Sequence, residues 1–344
     1  MTVRTTSARI FWVGILGFLA LSACTRHTPS TKNRPVRIGF ILATMNEERY
    51  AKDRKYFENY ATSKGAVVEF ASCDDKVDVQ TGKVESLLSR QIDVLVIQPV
   101  NGETAGSLVA LAKRDKVPVI AYDRMIRNAD IDLYVTQDSF RVGVLQAEAA
   151  LQATGAQGNY VILMGEAGHS VAEEITRGVL SVLEKHPGIK IVLKQNHPGW
   201  ATALALATVE NTLTRMKNNV QAILANNDGM AMGAIKALEE QKLSGKVFVA
   251  GADADLFAIK GILKGQQSMT VLKGIRPLAE AAVQGALELA SGKEPTHDSQ
   301  AHNGKKSVWV LNTPVYRVNR SNIRSEIVES GFHSAAAVFG ELGS

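Results

Sequence analysis

From residue 36 onward, short β-branched apolar runs alternate with segments of helical period. The runs cover 36–43, 66–71, 93–98, 117–122, 133–136, 160–164, 189–194, 222–225, 247–250 and 269–272, and a last one covers 308–311. Between them the periodicity predicts helices over 47–64, 79–90, 103–115, 141–153, 170–185, 202–217, 230–242, 256–264 and 277–291. Apolar runs of this length, alternating with helices, predict parallel sheets covered on both faces, with right-handed crossovers. There are too many runs for one open sheet. The fold class expected is therefore α/β, with two doubly wound parallel-sheet lobes.

The simple alternation breaks near 137–141, which is expected to be the first crossing between lobes. The stretch 273–277 is the second and 301–308 the third. This assigns 36–138 with 275–303 to an N-terminal lobe and 139–274 with 304–333 to a C-terminal lobe. The polar stretch 291–306 reads as a loop, and 334–344 as a weakly ordered tail.

The N-terminal segment has a different pattern. Arg4 and Arg9 precede an uncharged apolar run over 10–21, followed by Leu21-Ser22-Ala23-Cys24. The run is shorter than the ~20 apolar residues of a spanning helix, and with its basic start it reads as a secretory signal over 1–23. Residues 24–35 have no apolar period and read as a tether. A cysteine after Leu-Ser-Ala resembles the lipobox of bacterial lipoproteins, which implies cleavage before Cys24 and lipidation of its thiol. An ordinary signal peptide with an incidental Cys24 is the alternative.

Charge and cysteine content narrow the picture. Of the formal charge of +5, Arg4 and Arg9 would leave with the signal, so the mature chain carries +3 and shows no basic block for nucleic acid. With Cys24 lipidated, Cys73 has no disulfide partner, and hydrophobic cores must hold both lobes. No Cys/His cluster has zinc spacing.

In open parallel sheets, ligands bind beyond the carboxyl ends of the strands. The residues at those ends are polar: Glu48, Arg49 and Tyr50 after the first run, Asp123 and Arg124 after 117–122, and Glu166 and His169 after 160–164. Further along come His197 and Trp200, then Asn226-Asn227-Asp228, Asp253 with Asp255, and Lys273. Planar Asp, Asn and Arg groups can meet two neighbouring hydroxyls at once, and a pyranose ring can lie on Trp200 or Tyr50. The inventory suits a sugar. Singly, each residue also has a plain structural reading. Asp123-Arg124 could be a surface ion pair, one of Asn226, Asn227 and Asp228 a helix cap, and Lys273 a solvated strand end.

These residues carry a resemblance. Glu48-Arg49-Tyr50-Ala51-Lys52-Asp53-Arg54, Ala121-Tyr122-Asp123-Arg124-Met125-Ile126, Asn227-Asp228, Asp253-Ala254-Asp255-Leu256 and Met269-Thr270-Val271-Leu272-Lys273 resemble type I periplasmic binding proteins, in particular the bacterial D-xylose-binding proteins. The likeness runs from about residue 36 to 333. It implies two lobes joined by a three-segment hinge. It also implies that Arg49, Arg124, Asn227, Asp253 and Lys273 hydrogen-bond a sugar, that Tyr50 and Trp200 supply rings, and that Asp123 contacts the sugar or orients Arg124. The chain departs from the pattern at three places. Tyr50 stands for the usual Trp, and Ala252 replaces a polar residue. The loop 165–170 is one residue shorter and lacks an Asp and an Asn that contact ligand in xylose binders. The ligand implied is thus xylose or a related pentose or aldose.

The function expected is an extracytoplasmic solute-binding lipoprotein, periplasmic or at the cell surface and lipid-anchored through Cys24. It would deliver a monosaccharide to the permease of an ABC importer as a monomer, without cofactor, metal or nucleic acid. A sugar-sensing subunit for a membrane histidine kinase or chemoreceptor is the alternative. A carbohydrate-active enzyme has paired carboxylates in its favour, but no nucleophile elbow or metal triad. Mass spectrometry of protein from native membranes should find a lipid-bearing N-terminus at Cys24. An unmodified N-terminus at another residue would overturn the lipobox reading.

Overall fold

A computed structural model of the protein describes residues 1–3 and 34–340. Cys24, and all but the ends of the expected signal and tether, lie outside the described residues. The architecture below belongs to the unit that begins at Pro35.

The first lobe opens with β1 (Arg37–Leu42), α1 (Glu48–Ser63), β2 (Val67–Ser72), α2 (Val77–Ser89), β3 (Val94–Ile97), α3 (Gly106–Arg114), β4 (Val119–Tyr122) and β5 (Leu133–Gln137). The second lobe follows with α4 (Ser139–Thr154), β6 (Gly158–Met164), α5 (Ser170–Leu183), β7 (Ile189–Asn196), α6 (Thr202–Arg215), β8 (Ala222–Ala225), α7 (Asp228–Glu240), β9 (Phe248–Ala250), α8 (Leu256–Leu263) and β10 (Thr270–Lys273). The chain returns through α9 (Ile275–Ala290), β11 (Ser299–His302) and β12 (Ser307–Thr313). It then crosses again to β13 (Val315–Val318), a π-helical turn over Arg324–Glu329, and α10 (Ala335–Phe339).

The first sheet has seven strands in the order β11-β12-β5-β4-β3-β1-β2, and the second has four in the order β7-β6-β8-β9. β10 and β13 pair antiparallel, and a bridge from Met269 to Ala250 joins them to the second sheet's edge. Every residue of β3 and β4 is buried, as covered parallel strands require. Their side chains alternate between two cores. Leu95 and Ile97 face Leu87 and Val109 of α2 and α3, while Val94 and Val96 face Phe57 and Val283 of α1 and α9. The second lobe repeats this scheme. Tyr160 and Ile162 pack on the α4–α5 side, and Val161 and Leu163 on the α6–α7 side.

The expected domain boundaries need correction at the C-terminal end. β12 runs parallel to β5, with Trp309 opposite Leu133 and Thr313 opposite Gln137, so 307–313 belongs to the first lobe's sheet. The third crossing lies at Pro314 and not within 301–308. A proline has no amide proton for the ladder, and its fixed φ suits a chain leaving one sheet for another. The supposed loop 291–306 contains β11, an edge strand so polar and exposed that it shows no apolar alternation. The tail is also partly ordered. Ser334 caps α10 by accepting the Ala337 amide at 3.1 Å, and Val338 packs with Ile323 and Ile327. Cys73 is fully buried beside β2, and burial pushes its thiol up to about 12.

The α4–α5 pair, which carries the second lobe's near wall, depends on two glycines. A Cβ on Gly143 would lie 1.9 Å from the Ile175 carbonyl oxygen, and one on Gly178 would lie 2.0 Å from that of Phe140. Gly143→Ala and Gly178→Ala should each destabilise the protein by about 1–3 kcal/mol or more through overpacking. Gly82→Ala, on an open face of α2, should instead be neutral or add up to about 1 kcal/mol. Urea unfolding separates the two behaviours. Equal effects at all three positions would contradict this packing.

Candidate functional site

The carboxyl ends of the strands in both sheets face one cavity of about 440 Å³, within the roughly 300–1,000 Å³ span of small-molecule sites. Arg49, Tyr50, Asp123 and Arg124 line it from the first lobe, and Trp200, Asn227, Asp253 and Lys273 from the second. The structure thus brings together the eight side chains to which the resemblance gives a ligand role, with His169 and Asp255 from the strand-end inventory, and adds Val171 and Thr202.

Arg49 lies in the first turn of α1. Its Nε meets Asp53 Oδ2 at 3.2 Å, one helical turn on, and its Nη1 lies 3.4 Å from Asp123 Oδ1. Asp53 has no solvent exposure and also accepts the Tyr122 hydroxyl. Asp123 accepts a 2.9 Å bond from Gln98 Nε2. Burial by itself would raise the Asp123 pKa. Arg49, then Lys273 and Arg124, outweigh it and bring the carboxyl down to about 2.

Arg124 donates to the Tyr50 hydroxyl oxygen at 3.1 Å and to the Pro99 carbonyl at 3.3 Å. Gln98 also donates to that Tyr50 oxygen, at 3.4 Å, which leaves the tyrosine proton free to donate elsewhere. The Arg124 Nε is buried and has no partner among the described residues. Across the cavity, Lys273 Nζ sits 2.6 Å from Asp253 Oδ1, and the lysine is only 6 % exposed. That burial excludes a solvated strand end. Asn227 caps α7, its Oδ1 accepting the Met230 amide at 2.9 Å. Cap and cavity wall therefore fall on one residue, with the Nδ2 group left over.

Several site residues hold left-handed backbone that non-glycine residues rarely adopt. They are Asp123 (φ 64°), Trp200 (55°), Asp253 (107°) and Ala254 (55°). Side chains from neighbouring strands support the bends. Tyr134 and Thr136 donate to the Asp123 carbonyl at 3.0 and 3.1 Å, and Thr270 accepts the Ala254 amide at 3.2 Å. Asp228 anchors the 253–255 loop. It accepts the Asp255 amide at 3.0 Å, Thr270 Oγ1 at 2.9 Å and Gln267 Nε2 at 2.9 Å. Gln98 and Asp53 were not singled out from the sequence as site residues, and Asp228 stood only within the Asn226-Asn227-Asp228 run. For Gln98 the available signal was a polar residue ending the buried strand β3; Asp53, inside α1, gave none.

The departing loop 165–170 builds the remaining wall. Trp200 lies flat on Gly165, where a Cβ would come within 2.5 Å of the indole. The ring of His169 meets Trp200 edge-on, centroids 5.1 Å apart. His169 Nδ1 accepts the Val171 amide at 3.3 Å, so the neutral ring carries its proton on Nε2. Ser170 instead bonds the Met125 amide across the lobes at 3.1 Å, and Glu166 lines a smaller recess beside the cavity. His197 is structural: it is fully buried between Met164 and Thr208 and does not line the cavity.

Burial first, then the Arg124 and Lys273 charges, hold the His169 ring far below its ordinary 6.5, at about 3. The unfolded chain takes up this proton near 6.5 and the folded one only near 3, so stability should fall as pH drops between those values. His169→Gln should flatten that part of the curve. Melting temperatures of both proteins across pH 7 to 4 provide the check. Identical slopes would mean that the ring protonates as freely in the folded state as in the unfolded one.

Residues 38–294 match the family described as the periplasmic binding protein domain. The chain is 41% identical over 304 residues to the D-xylose-binding periplasmic protein of Escherichia coli strain K12, covering 87% of this chain and 92% of that protein. It is 38% identical over 322 residues to the protein of the same description from Haemophilus influenzae, covering 93% and 97%. A solved carbohydrate transporter solute-binding protein from Chloroflexus aurantiacus, in complex with D-glucose, superposes with a TM-score of 0.81 at 29% identity, covering 89% of this chain and 98% of that one. With the two parallel-sheet lobes described above, these likenesses establish that the chain belongs to the periplasmic binding protein family, with the type I fold.

Proposed function

We propose that the protein captures a monosaccharide, xylose or a related pentose or aldose, in the cleft between its lobes and delivers it to an ABC importer outside the cytoplasm. The observation that carries this reading is the arrangement of opposed ion pairs. Arg49–Asp123 from the first lobe and Asp253–Lys273 from the second face one cavity, and the Lys273 charge reaches Asp123 across it. Fixed, mutually paired charges offer a polyol donors and acceptors in known directions, and their pairing limits the cost of desolvation. Neither lobe alone meets every hydroxyl of a small ring, so ligand binding favours the closed arrangement. The names of the relatives support the ligand class and the compartment. A lipid on Cys24 would hold the mature protein at the membrane as a monomer, beside the permease it serves. Binding and release require no cofactor and no covalent chemistry.

Calorimetry with a panel of monosaccharides tests the reading directly. Arg124→Ala and Asp253→Ala should each weaken binding by about 2–4 kcal/mol, because each leaves a hydroxyl or an opposite charge unpaired in the closed cleft. Their thermal melts should stay near the parent's. Normal binding together with sharply lowered melts would make these residues core ion-pair members and refute the site.

A further inference from the structure

Beyond the π-helical turn, Phe332 and His333 touch both lobes. His333 is only 7 % exposed. Its Nε2 lies 2.9 Å from the Ala254 carbonyl oxygen in the second lobe. Its Nδ1 lies 3.5 Å from Lys52 Nζ, on α1 of the first lobe. A carbonyl can only accept, and an ammonium can only donate. The ring therefore meets both as the neutral tautomer with its proton on Nε2. The same ammonium stands 4.1 Å from the centre of the Phe332 ring, and that ring meets His333 edge-on, centroids 4.9 Å apart.

Both ends of this bridge lie beside site residues. Ala254 follows Asp253 in the turn with left-handed backbone, φ 107° at Asp253 and 55° at Ala254. Such a turn persists only where its surroundings fix it. The amides of Asp253, Ala254 and Asp255 are fixed by Val271, Thr270 and Asp228 of the second lobe. The Ala254 carbonyl is fixed by His333. Ala254 is fully buried, so no water stands ready to replace a lost partner. At the other end, Lys52 lies next to Asp53 in α1 and within one helical turn of Arg49.

We infer that His333 is a positioning residue of the sugar site. It holds the turn that presents Asp253. Through Lys52 and Phe332 it also ties that turn to the helix that carries Arg49 in the opposite lobe. A bridge that spans both lobes forms only when they are together, so it favours the closed arrangement and slows release without touching the sugar. The inference rests on the sugar-site reading above and adds to it a residue outside the cavity wall.

Calorimetry and stopped-flow release on the full chain test it, with D-xylose, L-arabinose and D-glucose as probes. His333→Phe keeps a ring and removes both polar contacts. It should weaken sugar binding by about tenfold. His333→Gln, which keeps a donor and an acceptor, should recover most of the loss. Lys52→Met leaves the turn's own bonds intact and should speed release about two- to fivefold, with association near the parent's. The His333→Phe penalty should shrink in an Asp253→Ala background and persist in full in an Arg124→Ala background, because it acts through the Asp253 turn. A histidine that merely supports folding would give equal penalties in the two backgrounds. That equality, or parent-like binding and release in both His333→Phe and Lys52→Met, overturns the inference and leaves the sugar site standing. Should His333→Phe not fold, the Lys52→Met release rate decides alone, and a parent-like rate overturns the inference. If none of the three sugars binds the parent, the sugar-site reading fails, and this inference with it.

Discussion

Arg49, buried in the wall of the cavity, holds two carboxylates at once: Asp53 on its own helix, and Asp123 on the turn after β4. An isolated charge at that depth would be too costly to keep; Arg49 is paired on both sides, and Asp123 draws also on Lys273 and Arg124. The rest of the site is built around this constraint. Gln98 and Tyr122 complete the hydrogen bonding of the carboxylates, and Gln98 and Arg124 orient the Tyr50 hydroxyl. Arg49 and Arg124 of the first lobe and Lys273 of the second together offset the burial of Asp123, so its carboxylate borders the cavity already ionised.

The second lobe reaches the same end with less charge and more backbone. Asp253 is presented by a turn in left-handed conformation, held by Asp228, Thr270 and the β10 strand, and is paired with Lys273. Trp200 is presented by a proline-glycine turn and rests on Gly165. Helices α4 and α5 approach closely enough, through Gly143 and Gly178, to bring the head of α5 with His169 against the cleft. Paired charges on the first lobe and shaped turns on the second give the cavity chemically distinct sides.

Much of this architecture was legible in the sequence. Strands buried on both faces must be apolar throughout, and helices between them must be apolar on one side, so β1 through β10 and the helices that follow them stand out in the chain. Polar residues just past those runs mark the ligand edge of a parallel sheet, which is why Arg49, Asp123, Arg124, Asn227, Asp253 and Lys273 could be named. The elements that escaped are those without that burial pattern. β11 is an exposed edge strand, β13 is four residues after a proline, and α10 is five residues long.

What the sequence by itself determined was the alternation of strand and helix and the set of polar side chains at the strand ends, because both follow from local burial and chain direction. Tertiary structure alone decided which carboxylate meets which cation, since Arg49 and Asp123, or Asp253 and Lys273, are brought together only by the folding of separate strands. It also assigned β12 to the first lobe, through pairing with β5, a strand far away in the chain. And it turned His169 into a neutral donor against an apolar wall, because a ring's protonation and partners depend on the charges and solvent around it in space, which no stretch of neighbouring residues encodes.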